Sequence, residues 1–488
     1  MAIATQEQTV VDKVAKQLYI GGEWRDASGG GTLPVEDPAT GETLCEIADG
    51  TPDDAKAALD AAVGMQAEWA ATPPNRRSEI LHRAFQLLNE RADELALLMT
   101  LEMGKTVAES KGEITYSAEF FRWFSGEALR TDGYYKTAGN GASRVLVLRQ
   151  PIGPSFFITP WNFPMAMGTR KVGPAIAAGC TMVWKPAKLT PLSAFALAQL
   201  LEEAGLPGGV LNIITSSSSG AVAGPVIADP RLRKLSFTGS TEVGRTLIEQ
   251  SAENILKVSM ELGGNAPFLV FEDADLDAAV DGAMIAKMRN IGEACTAANR
   301  FHVAGSIADE FTDRLAERMG KLRVGRGTEQ GVDVGPLIDD DQRGKVADLV
   351  DDAAGRGAKV LVGGSSADGA GYFYEPTVLG NVPPDARLLK EEIFGPVAPV
   401  ASFDSTEDAI AAANDTEYGL VAYVFTRDLK RALTVCESLE TGMIGLNQGM
   451  VSNAGAPFGG VKQSGIGREG GNEGIEEYLE TKYVAVNL

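Results

Sequence analysis

From about Arg144 onward the sequence alternates short β-rich runs with helical stretches, and the alternation occurs twice. In the first run SFFIT (155–159), TMVWK (181–185), VLNIIT (210–215) and KLSFT (234–238) read as strands. Between them NFPMAMGTRKVGPAIAAG, LSAFALAQLLEEAG and a Gly/Ala-rich stretch read as helices. Such alternation favours a mostly parallel, doubly wound α/β sheet, which binds ligands at the carboxyl ends of its strands.

A second α/β run follows MELGGNAP (260–267), with FLVF, RFHVAG, a charged helix near 307–320 and further pairs to about residue 445. The expected division is a dinucleotide-type domain of 1–129 with 151–261, a second domain of 262–450, and a separate segment of 130–150 with 470–488. A chain of 488 residues supports two or more such units. The separate segment is a hairpin, YYKTAGNGASRVLVLRQP, turning at Gly139, Asn140 and Gly141, together with YLETKYVAVNL. Its strands lack an evident partner in either domain, and pairing between subunits of a homodimer or homotetramer would cover them. Residues 52–70 and 73–128 read as helices and as scaffold.

Charge and residue usage exclude several functions. With 44 Lys+Arg against 66 Asp+Glu, the net charge of −22 repels nucleic acid and anionic membranes, so an anionic ligand needs a local basic pocket. The N-terminal residues lack the apolar core of a signal peptide, and no later stretch reaches the length of a membrane span. Cys45, Cys180, Cys295 and Cys436 form no close pair and no CxxC, which suits a reducing cytoplasm and no metal site. His82 lies in a helical pattern and His302 in a short strand; neither is expected to be catalytic. The chemistry falls to Cys, Glu, Lys or Arg.

Four places carry candidate chemistry. Cys295, in RNIGEACTAANRF, reads as an exposed turn between helix and strand, where it is either a nucleophile or packing. Glu261 precedes Gly263 and Gly264 closely enough for the backbone to approach, and is either a base acting through water or a surface carboxylate. Asn162, between Pro160 and Pro164, either donates to an oxyanion or caps the helix expected over 163–178. Gly239 and Ser240 join a strand to a helix N-terminus, a candidate phosphate cradle, and Lys185 and Lys188 follow a strand where two cations would favour a 2′-phosphate or simply be solvated.

The order IGGEW (20–24), PWNFP, FTGSTEVG, MELGGNAP, GEAC, EEIFGPV and PFGGVKQSGIGRE (457–469) resembles the aldehyde dehydrogenase superfamily over nearly the whole chain. The resemblance implies that family's fold: two doubly wound α/β domains and a β-hairpin oligomerisation segment that adds to a neighbour's sheet. By position Cys295 matches the family nucleophile, Glu261 the base for deacylation, and Asn162 with the Cys295 N–H the oxyanion hole. Trp161, Lys185, Lys188, Gly239, Ser240, Leu262, Glu392 and Phe394 match cofactor-contacting positions, and no metal is implied.

Within the superfamily the chain is most similar to the succinate-semialdehyde dehydrogenases. Arg170, Arg289 and Ser452 match residues that grip the far carboxylate of the substrate, although each arginine also fits an ordinary helix position. Lys188 stands where NAD-preferring relatives often carry Glu, so NADP is expected, with NAD possible. The alternatives are glutarate or 2-oxoglutarate semialdehyde, a CoA-acylating reaction, which Glu261 argues against, and a non-catalytic protein retaining the fold. Two departures stand out. Glu293 replaces a frequent Gln and is expected to point away from the thiol, and Ala297 removes a second Cys found in some relatives, and with it a disulfide switch.

Overall fold

The computed structural model describes residues 5–367 and 369–487; residues 1–4 and 488, assigned above to the first domain and the hairpin segment, lie outside the described residues. Pro52–Ala71 starts at a capping box, in which Thr51 and Asp54 satisfy each other's backbone N–H groups. Pro74–Glu90, Ala92–Met103 and Val107–Glu127 follow, the last capped by Thr106. Their buried faces meet the first sheet in a core that includes Phe120, Phe121, Phe124, Met182 and Trp184. Helix Ala166–Ala178 is threaded through this core on small residues: a Cβ on Gly168 would stand 2.4 Å from the Trp184 ring.

That first sheet has eight strands in the order Glu23–Arg25, Leu18–Ile20, Leu211–Ile213, Met182–Lys185, Ser155–Ile158, Lys234–Thr238, Lys257–Glu261 and Gly465–Ile466. The five from Leu211–Ile213 to Lys257–Glu261 run parallel, and the outer ones pair antiparallel. The chain winds outward from Ser155–Ile158 in one direction, then returns to its other side at Lys234–Thr238. This reversal opens a crevice at the carboxyl ends of those two strands. Trp161–Asn162 and Gly239–Ser240 follow directly from it.

The second sheet runs Lys359–Val362, Thr377–Gly380, Val397–Phe403, Ala298–Ala304, Ala266–Val270, Val421–Phe425 and Met443–Leu446, and all but its first pair is parallel. Phe268 stacks on Phe425 and tilts against Phe301 and Phe311 in its core. Cys295 lies just before Ala298–Ala304, so the second sheet presents its amino ends to the crevice of the first. Tyr134–Thr137, Arg144–Pro151 and Leu479–Val486 form a separate antiparallel sheet, and all four residues of its Tyr134–Thr137 edge are exposed.

Two local expectations are corrected. The helix expected from 163 begins at Ala166, so Asn162 is not its cap; the Met165 and Ala166 N–H groups donate instead to the Glu113 carboxylate at 2.9 and 3.0 Å. Cys295 does sit in a turn, closed by Ala297 N–H to the Ala294 carbonyl at 2.9 Å, but it is half-buried rather than exposed.

Candidate active site

The crevice holds a cavity of about 230 Å³ lined by Cys295, Glu261, Asn162, Gly239, Ser240 and residues of the 392–394 loop. Cys295 reaches it through an unusual backbone path. After helix Leu276–Met288, Asn290 and Ile291 adopt left-handed conformations, with φ of 56° and 63°. Non-glycine residues hold that conformation only where their surroundings impose it. Here Asn290 N–H donates to Glu109 at 2.6 Å, and its side-chain amide donates to the Asn162 and Glu293 carbonyls at 3.1 and 2.8 Å. Gly292, also left-handed, packs where a Cβ would stand 2.2 Å from the Gly395 carbonyl. A Cβ on Gly264 would stand 2.7 Å from the Cys295 carbonyl, which gives the glycine pair after Glu261 a steric reason.

Asn162 is held by a buried ion pair. Lys105 pairs with Glu113, both almost wholly buried, and its ammonium also donates to the Asn162 carbonyl at 2.9 Å. One amide N–H of Asn162 goes to the Glu293 carbonyl at 2.9 Å. Its side chain lines the same cavity as Cys295.

Glu261 ends strand Lys257–Glu261, and neither of its buried carboxylate oxygens has a hydrogen-bond partner among the described residues. Burial raises its pKa well above the usual range; Glu469 adds to this, and Arg170 and Lys171 oppose it. For Glu469 the balance reverses: burial pushes up, but Lys171 and Arg170 outweigh it and hold the carboxyl below its ordinary value. Glu469 accepts from Arg170 Nε at 2.6 Å and pairs with Lys171. Of the two carboxyls, Glu469 therefore keeps the charge, while Glu261 sits free to exchange a proton. Gly459 makes room for it, since a Cβ there would stand 2.9 Å from Glu261 Oε1.

Burial pushes the Cys295 thiol up to about 12; Glu392 and Glu261 add to the rise, and Arg170 and Arg289 oppose it. Such a thiol is inert until a nearby cation or base acts on it. Glu293 is not among the groups that disturb it. Its carboxyl is fully buried and accepts from Ile338 N–H at 3.1 Å.

At the other end of the cavity, Ser240 caps helix Thr241–Ser251, and the Thr238 hydroxyl is buried without a partner among the described residues. The Trp161 and Phe394 rings meet edge-on at 5.4 Å. Burial raises Glu392 to about 7, and the residue accepts from Gly264 N–H at 3.3 Å. Lys185 and Lys188 do not line this cavity: Lys185 ends strand Met182–Lys185 and Lys188 lies three residues beyond it. Lys185 is buried and lowered to about 8 by burial and by Lys188, and Lys188 is exposed.

Arg289 ends its helix, but its side chain crosses the Phe163 ring at 5.0 Å and donates to the Ser452 hydroxyl at 2.7 Å. Arg170 is no surface charge: it is 1% exposed and lies 4.0 Å over the Phe458 ring. A second cavity of about 380 Å³ is lined by Arg289, Ser452, Phe163 and Tyr116.

Comparison with known proteins decides the family. Residues 24–484 match the aldehyde dehydrogenase family. The chain belongs to that family. It is 58% identical to a succinate-semialdehyde dehydrogenase of Paenarthrobacter nicotinovorans, over 91% of this chain and 98% of that one. It is 50% identical to a glutarate-semialdehyde dehydrogenase of Pseudomonas putida, over 97% and 98% of the two chains. The crystal structure of an Escherichia coli NADP-dependent enzyme superposes with a TM-score of 0.96 at 50% identity, covering 97% of this chain and 98% of that chain.

In this aldehyde dehydrogenase the main cavity gathers Cys295, Glu261, Asn162, Trp161, Gly239, Ser240, Leu262, Glu392 and Phe394. Sequence reading missed Gln342 and Lys345, which line the same cavity from helix Asp340–Gly355. Gln342 fixes the 392–395 loop by donating to the Ile393 and Phe394 carbonyls at 3.1 and 2.7 Å. It also missed Tyr116, and the Lys105–Glu113 and Lys171–Glu469 pairs. Neither histidine lines either cavity: His82 is exposed, and burial with Arg300 nearby lowers His302 to about 3. Among the described residues no cluster of three His, Cys, Asp or Glu could hold a metal ion, and no helix is long and apolar enough to cross a membrane.

Proposed function

We propose that the protein oxidises succinate semialdehyde to succinate with NADP, and with NAD as a second choice. The observation that carries the substrate is the cluster of Arg289, Ser452 and Arg170: Arg289 donates to Ser452, the two line a cavity other than the one that holds Gly239 and Ser240, and both arginines act on Cys295 through their charge. Two guanidiniums and a hydroxyl suit a carboxylate, and they supply the local positive field that the net charge of −22 denies.

The Cys295 thiolate adds to the aldehyde carbon, and the resulting oxyanion is met by the Asn162 amide N–H and the Cys295 backbone N–H. The unpartnered Thr238 hydroxyl, the helix N-terminus after Ser240 and Glu392 fit a dinucleotide laid along the first cavity. A nicotinamide dinucleotide held there would supply the two-electron oxidation, as acceptor of hydride from the substrate carbon. Lys188, exposed beyond strand Met182–Lys185, favours a cofactor with a 2′-phosphate. The thioester left on Cys295 needs an activated water, and Glu261, with two unpartnered oxygens, takes the proton from it.

Glutarate and 2-oxoglutarate semialdehydes differ little in length, and a methylene is worth only about 1–3 kcal/mol of discrimination. They are the second reading, favoured by the likeness to the Pseudomonas putida enzyme. We further place the protein in the cytoplasm as a homodimer or homotetramer, since the exposed Tyr134–Thr137 edge offers unpaired backbone groups to a second copy. Initial rates with succinate semialdehyde, with NADP and then NAD, test the proposal. Formation of reduced cofactor and succinate is expected; no reduced cofactor with either would overturn it.

A further inference from the structure

Four polar side chains from distant parts of the chain converge on one place: Tyr116 from helix Val107–Glu127, Arg170 from helix Ala166–Ala178, Arg289, and Ser452. Sequence reading assigns the first of these helices to scaffold. We propose that Tyr116 is a specificity-determining residue whose phenol donates a hydrogen bond to the distal carboxylate of the substrate. The proposal rests on the carboxylate-bearing substrate class argued above and names the uncharged member of its seat.

Unsatisfied polarity is the main support. The Tyr116 oxygen and Arg170 Nη2 are both buried, and neither has a hydrogen-bond partner of good geometry among the described residues. Buried polar groups are nearly always paired, so two adjacent orphans mark the place of an absent acceptor. Arg170 and Ser452 lie close enough to act on the phenol, and Arg289 acts on it through its charge. Arg289 gives Nη1 to Ser452 and forms no ion pair among the described residues, so a cation without a carboxylate of its own faces this space. An ionised carboxylate has about four acceptor positions. Tyr116, Arg170 Nη2, Ser452 and Arg289 supply donors from four directions.

Rigidity points the same way. The Arg289 guanidinium lies 5.9 Å from the Tyr116 ring centroid and 5.0 Å from that of Phe163, and Arg170 lies over Phe458. The Tyr116 ring itself packs edge-on against Phe120 at 4.8 Å. Burial raises the phenol above its ordinary value, more than the two arginines lower it, so it stays protonated and donates at neutral pH.

The test is kcat/KM for succinate semialdehyde and for butanal, with NADP, in wild type, Tyr116→Phe and Arg289→Ala. Phenylalanine keeps the ring and its packing on Phe120 and removes only the donor. In Tyr116→Phe the semialdehyde-to-butanal ratio is expected to fall about tenfold to a hundredfold, mainly through KM, as for a lost hydrogen bond to a charged group. An unchanged ratio in Tyr116→Phe, beside a large fall in Arg289→Ala, would overturn the role of Tyr116 and leave the substrate class standing. A wild type with no preference, unaltered in both variants, would overturn the substrate class and Tyr116 with it.

Discussion

Arg289 Nη1 donates to the Ser452 hydroxyl across 2.7 Å, joining two residues 163 positions apart in the chain. Both residues line a cavity with Tyr116 and Phe163, and the Arg289 charge acts on the Cys295 thiol. Arg289→Ala should therefore cost about 2–4 kcal/mol in kcat/KM for succinate semialdehyde, the range of one or two charge-assisted hydrogen bonds, and much less for butanal. Steady-state rates on the two aldehydes check this; equal losses would make Arg289 a structural residue.

Glu261→Gln removes the base but keeps shape and burial. A single burst of reduced cofactor, equal to the enzyme present, should be followed by a stall as the thioester accumulates. Rapid-mixing absorbance reads both phases, and steady turnover near wild type would take Glu261 out of that role.

The pH dependence follows from the raised pKa values of Cys295 and Glu261. Both groups are protonated, and so inactive as nucleophile and base, at low pH; raising the pH frees them. Turnover should rise across pH 6 to pH 9 without levelling off, because the thiol, pushed up to about 12, ionises only in a small and growing fraction there and the raised Glu261 carboxyl also releases its proton more readily as pH increases. In Glu261→Gln the burst rate should keep its rise, because the thiol still titrates. A burst rate flat across that range would show that the thiol is not the group freed.

Lys105 and Glu113 act at a distance from the reacting atoms. Lys105→Met leaves Glu113 charged, buried and unpaired, which should cost about 3–5 kcal/mol of stability. It also releases the Asn162 carbonyl, so kcat should fall about tenfold or more while the cofactor KM changes little, as when oxyanion donors are misplaced. Denaturant unfolding and kinetics on the folded variant separate the two effects; a stability loss with unchanged kcat would confine the pair to scaffolding.

How far the sequence reveals this molecule depends on whether a signal is local. The strands through KLSFT and the helix after Ser240 follow from apolar runs and turn residues, and Cys295, Glu261 and Asn162 are read from short motifs that carry their own geometry. The pairs that set the charges are not local. Glu469 meets Arg170 and Lys171 across 299 and 298 positions, and no spacing rule reaches so far. The start of helix Ala166–Ala178 is hidden for a related reason: the N–H groups at its start donate to Glu113, 52 and 53 residues upstream, instead of to Asn162. Tyr116 is hidden differently, since an aromatic residue on an amphipathic helix reads as packing until the fold turns it toward two arginines. Glu23–Arg25 and Gly465–Ile466 join the first sheet as very short edge strands, too brief to show a period of two.

The most direct measurement is kcat/KM for succinate semialdehyde against butanal with NADP, followed as reduced cofactor. A cysteine dehydrogenase with an anion seat formed by Arg170, Arg289, Ser452 and Tyr116 should favour the semialdehyde by a hundredfold or more, about 3 kcal/mol. Equal rates on the two aldehydes would contradict the anion seat, and no reaction with either, NAD included, would contradict Cys295 as the nucleophile of an aldehyde oxidation.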